Sequence, residues 1–88
     1  MEDRIHLCIV TADAAVLDRY VSYINIPTPF GSVGVMQLHA PMLCAVEKGT
    51  VRYTAEGKNF LVRVSDGVAN VSDNEVTLLV SAAEEITE

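Results

Sequence analysis

The chain has 88 residues, half of them hydrophobic, and a formal net charge of −6 at pH 7. This length accommodates one domain, and the apolar content excludes a disordered chain. The six basic residues are scattered, which argues against a nucleic-acid-binding protein, because phosphate neutralisation needs clustered Lys and Arg. No apolar run approaches the ~20 residues that span a bilayer, and no signal region opens the chain. We therefore expect a soluble domain that is not exported by its own sequence.

Alternating apolar residues and chain breakers divide the first half of the sequence into short strands. The run Ala12-Asp13-Ala14-Ala15 could begin a short helix with Thr11 as its cap, but β-branched and aromatic residues dominate the sequence after it. The second strand is expected to end at Pro27-Thr28-Pro29, because prolines cannot donate to a ladder. The predicted strands of this half are Ile5–Thr11, Tyr20–Ile26, Val33–Met36 and Met42–Val46.

The second half is more regular, with turn signals roughly every 8–12 residues. The pair Glu56-Gly57 predicts a tight hairpin, and Gly49 is expected to take a positive φ in the turn Glu47-Lys48-Gly49. The polar end, Ala83–Glu88, is expected to fray. The predicted strands of this half are Thr50–Ala55, Lys58–Val64, Gly67–Val71 and Glu75–Ala82.

These patterns predict an all-β fold, a small β-sandwich or flattened barrel of about ten short, mainly antiparallel strands. We assign one domain to residues 1–83 and a polar C-terminal tail to residues 84–88. Leu61 and Leu79 are apolar residues on the nominally outer faces of their strands. We therefore expect part of that face to be covered by the second sheet or by a partner protein.

The residues that could carry chemistry form no catalytic or metal-binding pattern. Cys44 lies shortly after His39, so a thiol enzyme is one hypothesis, but Cys44 sits in an apolar strand, where a thiol pKa rises and reactivity falls. Two His and two Cys spread over residues 6 to 44 lack the spacing of a metal site. Cys8 and Cys44 are expected to be buried and reduced. His39 is expected to hydrogen-bond nearby backbone groups, to contact a partner, or both.

The segment Gly31-Ser32-Val33-Gly34-Val35, followed by His39-Ala40-Pro41-Met42-Leu43, resembles the epsilon subunit of F-type ATP synthases (delta in mitochondria). That family carries Gly-x-Leu/Val-Gly-Ile/Val, a short loop, then His-Ala-Pro and two apolar residues. The resemblance covers nearly all of residues 5 to 83. Its further pieces are Leu7–Ala12, Val16-Leu17, Lys48-Gly49-x-Val51-Arg52, Asp66-Gly67-Val68-x-x-Val71 and Asn74-x-Val76-Thr77-Leu78-Leu79.

The resemblance implies a ten-stranded β-sandwich, the N-terminal domain of a non-catalytic rotor subunit in the central stalk. In the family this domain packs on the gamma subunit and rests on the polar loops of the membrane-embedded c-ring, so that ion-driven rotation is coupled to ATP synthesis. The resemblance implies no cofactor, no catalytic or metal residue and no homo-oligomer. It also implies a peripheral position on the cytoplasmic side of the bacterial inner membrane. By position, Thr11, His39 and Met42 would contact gamma, and Phe30, Gly31 and Ser32 the c-ring.

This sequence departs from the family pattern at two positions. Many members have an acidic residue in place of Ser32, and many have Pro-Gly before the histidine, where this chain has Leu38 after Gln37. The family's usual C-terminal helical hairpin is not matched, so its regulatory role is not implied. The alternative to a rotor subunit is a free-standing β-sandwich module that binds a peptide or small ligand.

Overall fold

The computed structural model describes residues 2–86, which form ten β-strands. None of these residues belongs to a helix long and apolar enough to cross a membrane. The strands are β1 (Ile5–Val10), β2 (Ala15–Val21), β3 (Tyr23–Thr28), β4 (Gly31–Val35), β5 (Met42–Val46), β6 (Gly49–Ala55), β7 (Lys58–Val64), β8 (Gly67–Ser72), β9 (Glu75–Val80) and β10 (Ala83–Ile86).

The strands form two five-stranded sheets that pack face to face, as predicted for a sandwich. The first sheet has the order β2-β1-β9-β8-β5 and the second sheet has the order β10-β7-β6-β3-β4. Neighbouring strands are antiparallel, except that β1 pairs with β9 in parallel. Four antiparallel pairs join consecutive strands through short turns, namely β1–β2, β3–β4, β6–β7 and β8–β9. The other pairs are long-range, and the β1–β9 pair joins strands from opposite ends of the chain.

Alternation along the strands builds one core between the sheets. Ile5, Leu7 and Ile9 of β1 are buried, and so are Val76, Leu78 and Val80 of β9. Because successive side chains of a strand point to opposite faces, the residues between them face solvent. The second sheet contributes the same alternation, and its buried hydrophobic residues are Ile24, Ile26, Val35, Val51, Tyr53, Ala55, Val62 and Val64.

Five connections carry the chain between the sheets, at Ser22 and at residues 36–41, 47–48, 65–66 and 81–82. These connections and the turns within each sheet lie at two opposite ends of the sandwich. The Phe30 end carries the turns at residues 11–14, 29–30, 47–48, 65–66 and 81–82. The His39 end carries residues 2–4, 22, 36–41, 56–57 and 73–74.

The predicted second strand, Tyr20–Ile26, is wrong because the chain changes sheets within it. Ser22 separates β2 from β3, and both its N–H (2.8 Å) and its hydroxyl (3.3 Å) donate to the carbonyl of Thr54. β3 then continues through Pro27, which was expected to end it. The Pro27 carbonyl accepts from the N–H of Glu47 at 2.9 Å. In an extended residue the N and the C=O point to the same side of the strand. The Pro27 nitrogen, which carries no hydrogen, therefore faces Glu47 rather than β4.

Three further predictions are corrected by local hydrogen bonding and packing. The helix after Thr11 does not form; instead, the Thr11 N–H donates to the Ala14 carbonyl at 2.9 Å and closes a turn. Residues 83–86 do not fray, because β10 pairs with β7 along its length; residues 87 and 88 of the predicted tail lie outside the described range. Gly49 has no positive φ, and its backbone lies against the Pro27 ring.

Two hairpin turns confirm the turn signals read from the sequence. Glu56 and Gly57 have φ values of 52° and 73°, and Asp73 and Asn74 have φ values of 50° and 60°. Two consecutive positive φ angles are typical of type I′ turns, whose twist matches that of the flanking strands. These turns set the registers of the β6–β7 and β8–β9 hairpins.

Candidate interaction surfaces

The outer face of the first sheet carries an apolar band, which we define as Leu43, Ala45, Val68, Leu79 and Val10. The strand registers place Ala45, Val68, Leu79 and Val10 side by side in one row, and Leu43 lies on the same face of β5. Leu43 is 75 % exposed and Leu79 is 52 % exposed. A contiguous exposed apolar surface is typical of a site that another molecule covers. The exposure of Leu79 confirms the prediction that its side chain faces outward.

Beside this band lies a polar cluster, which we define as His6, Cys8, Asp18, Tyr20 and Glu75. The Nε2 atom of His6 lies 2.6 Å from Asp18 Oδ1, and its Nδ1 atom lies 2.9 Å from Glu75 Oε2. Cys8 Sγ is 3.5 Å from His6 Nε2. The Tyr20 ring stacks on the imidazole at a centroid distance of 4.9 Å. Strand pairing brings the five residues together from β1, β2 and β9.

Hydrogen bonds and burial shift the pKa values of His6 and Cys8 in this cluster. The bonds to Asp18 and then to Glu75 raise the pKa of His6, and partial burial opposes them. An imidazolium donates from both ring nitrogens, which is what two carboxylate partners require. Burial raises the pKa of the Cys8 thiol, and the two carboxylates add to the shift. Cys8 is therefore a poor nucleophile despite its neighbouring histidine.

Spacing along the chain does not reveal the polar cluster, because its residues come from three strands. His6 and Cys8 stand at i and i+2 on one strand face, and Asp18 lies directly opposite Cys8 on β2. The alternation of β1 was visible in the sequence. Its pairing partners were not, since Glu75 is 69 residues away from His6.

The β3–β4 hairpin projects an aromatic ring from the Phe30 end. Phe30 is 99 % exposed. The Thr28 hydroxyl donates to the Gly31 carbonyl (2.5 Å) and accepts the Phe30 N–H (3.2 Å). Gly31 has a φ of 110°, a region that favours glycine. Gly31 and Ser32 are exposed beside Phe30, so the three predicted c-ring residues form one accessible tip.

The loop of residues 36–41 at the His39 end is closed by its own hydrogen bonds. The His39 N–H donates to the Met36 carbonyl at 3.2 Å, and its Nδ1 lies 2.7 Å from the Ala40 carbonyl. These bonds confirm the predicted backbone role of His39. Leu38 has a φ of 65° and is 80 % exposed, and its N–H donates to Asn74 Oδ1 at 2.7 Å. Leu38 thus adopts a backbone conformation that would be less costly for glycine.

The structure separates the three residues predicted to contact gamma. His39 and Met42 lie together at the His39 end, whereas Thr11 follows β1 at the Phe30 end. Met42 packs part of its side chain against the core, and the neighbouring Leu43 points outward. The outer face of the first sheet, with its apolar band, extends between Thr11 and Met42.

The hypothesised Cys44–His39 pair is not formed among the described residues. Cys44 faces inward and packs against the core, while the His39 ring bonds to a carbonyl of its own loop. Cys8 and Cys44 are both free and half-buried rather than fully buried. They lie on opposite faces of the first sheet, with β9 and β8 between them.

Comparison with known sequences identifies a family. The sequence profile described as "ATP synthase, Delta/Epsilon chain, beta-sandwich domain" matches residues 4–86. An ATP synthase epsilon chain of Lawsonia intracellularis is 38% identical over 88 residues, which is 100% of this chain and 66% of that protein. The ATP synthase epsilon chain of Nitratidesulfovibrio vulgaris (strain DP4) is 46% identical over 84 residues, 96% of this chain and 63% of that protein. The chain therefore spans just under two thirds of the length of these curated relatives.

Solved structures with the same fold agree with this result. A chain in the cryo-EM structure of the Euglena gracilis mitochondrial ATP synthase, OSCP/F1/c-ring, superposes with a TM-score of 0.88 at 26% identity, covering 97% of this chain and 55% of the other. A chain in the Tetrahymena thermophila mitochondrial ATP synthase central stalk/c-ring structure shares the fold, with a TM-score of 0.73 at 16% identity, covering 93% and 66% of the two chains. With the profile match over nearly its whole length, the chain belongs to the β-sandwich domain family of ATP synthase delta and epsilon chains.

Proposed function

We propose that the chain is a non-catalytic subunit of the central stalk of an F-type ATP synthase, linking the gamma subunit to the c-ring. It would transmit the rotation driven by ion flow through the ring to the catalytic head and so support ATP synthesis. The complex would hold it peripherally at the membrane, on the cytoplasmic side of the bacterial inner membrane.

The observation that carries this proposal is the exposed apolar band of a chain that belongs to the ATP synthase delta and epsilon family. Leu43, Val68 and Leu79 remain exposed although the opposite face of the same sheet is well packed. We therefore assign the outer face of the first sheet to gamma.

The predicted contact residues fit this arrangement at its margins. Thr11 borders the assigned face at the Phe30 end, and His39 and Met42 border it at the His39 end. In this proposal Leu79 on the central strand β9 and Leu43 on the edge strand β5 provide further apolar contacts to gamma. The tip formed by Phe30, Gly31 and Ser32 would contact the polar loops of the c-ring.

Binding to a purified gamma subunit tests the assignment to the outer face. Leu79→Asp places a charge in the centre of the apolar band, and we expect gamma binding to weaken at least tenfold, because a desolvated, unpaired charge at an interface costs more than 1.4 kcal/mol. The matched control is Thr50→Asp, which adds the same charge to an exposed position on the outer face of the second sheet. Binding of Leu79→Asp at the parent affinity would contradict the assignment.

The same preparation separates the proposal from the alternative of a free-standing binding module. A rotor subunit co-purifies with gamma at low salt. A module for a peptide or small ligand would instead show a saturable thermal shift with that ligand in the absence of gamma, because ligands that bind only the folded state raise its stability.

A further inference from the structure

We propose that His6, Cys8 and Asp18 form a binding site for one divalent transition-metal ion, with Zn²⁺ as the favoured ion. His6 Nε2, Cys8 Sγ and Asp18 Oδ1 all lie within 4.8 Å of one another on the outer face of the first sheet. The pleat holds His6 and Cys8 on the same face of β1, and the β1–β2 register places Asp18 directly opposite Cys8. The site lies beside the apolar band on the face assigned to gamma, but its argument does not use that assignment.

The donor set and its spacing suit zinc. Imidazole nitrogen, thiolate sulfur and carboxylate oxygen are the ligands of protein Zn²⁺ sites. Two ligand atoms that bind one tetrahedral ion at about 2.0–2.3 Å lie roughly 3.3–3.7 Å apart. The separation of 3.5 Å between Cys8 Sγ and His6 Nε2 already meets this requirement. The Nε2–Oδ1 distance of 2.6 Å must widen by about 1 Å when the ion replaces this hydrogen bond. The Asp18 side chain is 67% exposed and has room to move.

A second layer of contacts holds the imidazole in the orientation that a metal needs. Glu75 Oε2 lies 2.9 Å from His6 Nδ1 and accepts a hydrogen bond from it, so that Nε2 is the atom turned toward Cys8 and Asp18. A carboxylate behind a histidine is the usual support of a metal-binding imidazole. Tyr20 stacks on the ring from the β2 side. The His6 side chain is only 23% exposed, so its orientation is fixed before an ion arrives.

The charges around the site favour a cation. Asp18 and Glu75 supply two carboxylates, and the outward positions of β1, β2 and β9 hold no Lys or Arg among the described residues. A bound divalent ion would replace the imidazolium as the partner of Asp18. Three protein ligands leave the fourth position of a tetrahedral ion open to water, or to a group from a partner.

Titration of the chelator-treated chain with Zn²⁺ tests the site, because the sequence offers a matched control for each soft ligand. We expect one Zn²⁺ per chain, with affinity at least tenfold weaker in Cys8→Ser, His6→Gln and Asp18→Asn, and about tenfold weaker in Glu75→Gln. Cys44→Ser and His39→Gln should bind Zn²⁺ like the parent chain. Titration with Co²⁺ should give a thiolate-to-metal charge-transfer band that disappears in Cys8→Ser but not in Cys44→Ser.

A protection experiment on the unmodified chain gives the same answer without a substitution. Bound Zn²⁺ should slow the alkylation of Cys8 at least tenfold and leave the alkylation rate of Cys44 unchanged. The proposal is overturned if Zn²⁺ shows no saturable one-to-one binding, if Cys8→Ser binds it like the parent chain, or if Cys44 is protected as strongly as Cys8.

Discussion

The substitution of Leu78 by alanine tests the alternation on which both outer-face assignments depend. Leu78 is fully buried in the central strand of the first sheet. Removing a buried leucine side chain costs about 3 kcal/mol, from lost transfer free energy and the cavity left behind. The whole chain is expected to have a free energy of unfolding of about 4–13 kcal/mol at 0.05–0.15 kcal/mol per residue. Leu78→Ala should therefore remove a large part of its stability.

Urea unfolding followed by circular dichroism measures this loss, and the next residue is the control. With a slope of about 1 kcal/mol per molar urea, the midpoint of Leu78→Ala should fall by about 3 M. Leu79 is half exposed on the opposite face, so Leu79→Ala should cost about 0.5 kcal/mol or less. A shift of the register by one residue would exchange the two side chains. Equal losses, or a larger loss for Leu79→Ala, would refute the assigned face.

Three further substitutions test local features of the fold by the same unfolding assay. Gly67→Ala would make a Cβ atom clash with the backbone carbonyl oxygen of Leu79, so we expect a loss of about 3 kcal/mol or more. A loss below about 1 kcal/mol would contradict the close approach. Leu38→Gly should raise stability by about 1 kcal/mol by relieving a positive φ; a loss would show that its exposed side chain has a stabilising contact. The Arg19 guanidinium lies 4.4 Å from the centroid of the Phe60 ring, so Arg19→Ala should cost about 1–2 kcal/mol. Arg19→Met, which keeps most of the aliphatic stem, should recover part of that loss. A loss as large as that of Arg19→Ala would assign the effect to the charge alone. No loss at all would assign it to packing alone.

Local patterns were sufficient to predict most of the strands of the second half of the chain. Lys58–Val64 was predicted with its observed bounds, because alternation and the Glu56-Gly57 turn point to the same register. The first half was harder. The residues of Tyr20–Ile26 alternate without interruption, yet Ser22 lies between two sheets. Local propensity does not contain the tertiary hydrogen bonds to Thr54 that hold this crossing.

The candidate surfaces show the same division between local and long-range information. Phe30 and Gly31 could be assigned to an exposed turn, since glycine and proline are frequent in turns. The apolar band could be anticipated only in part. Leu79 was predicted as an outward apolar residue, but Val68 becomes its neighbour, and Leu43 joins the same face, only through the strand order of the first sheet. The polar cluster depends entirely on pairing, because β1 lies between β2 and the distant β9.

The parallel pairing of β1 with β9 connects the stability prediction to the proposed metal site. In this register Leu7 lies opposite Val76 and Ile9 opposite Leu78, so the inward residues of the two strands are neighbours. If Leu78 faces the core, the pleat requires His6 and Cys8 to face outward on the same side as Leu79. The comparison of Leu78→Ala with Leu79→Ala therefore examines the backbone arrangement that both the apolar band and the polar cluster need. A result that inverted the two leucines would remove the geometric basis of both surfaces at once.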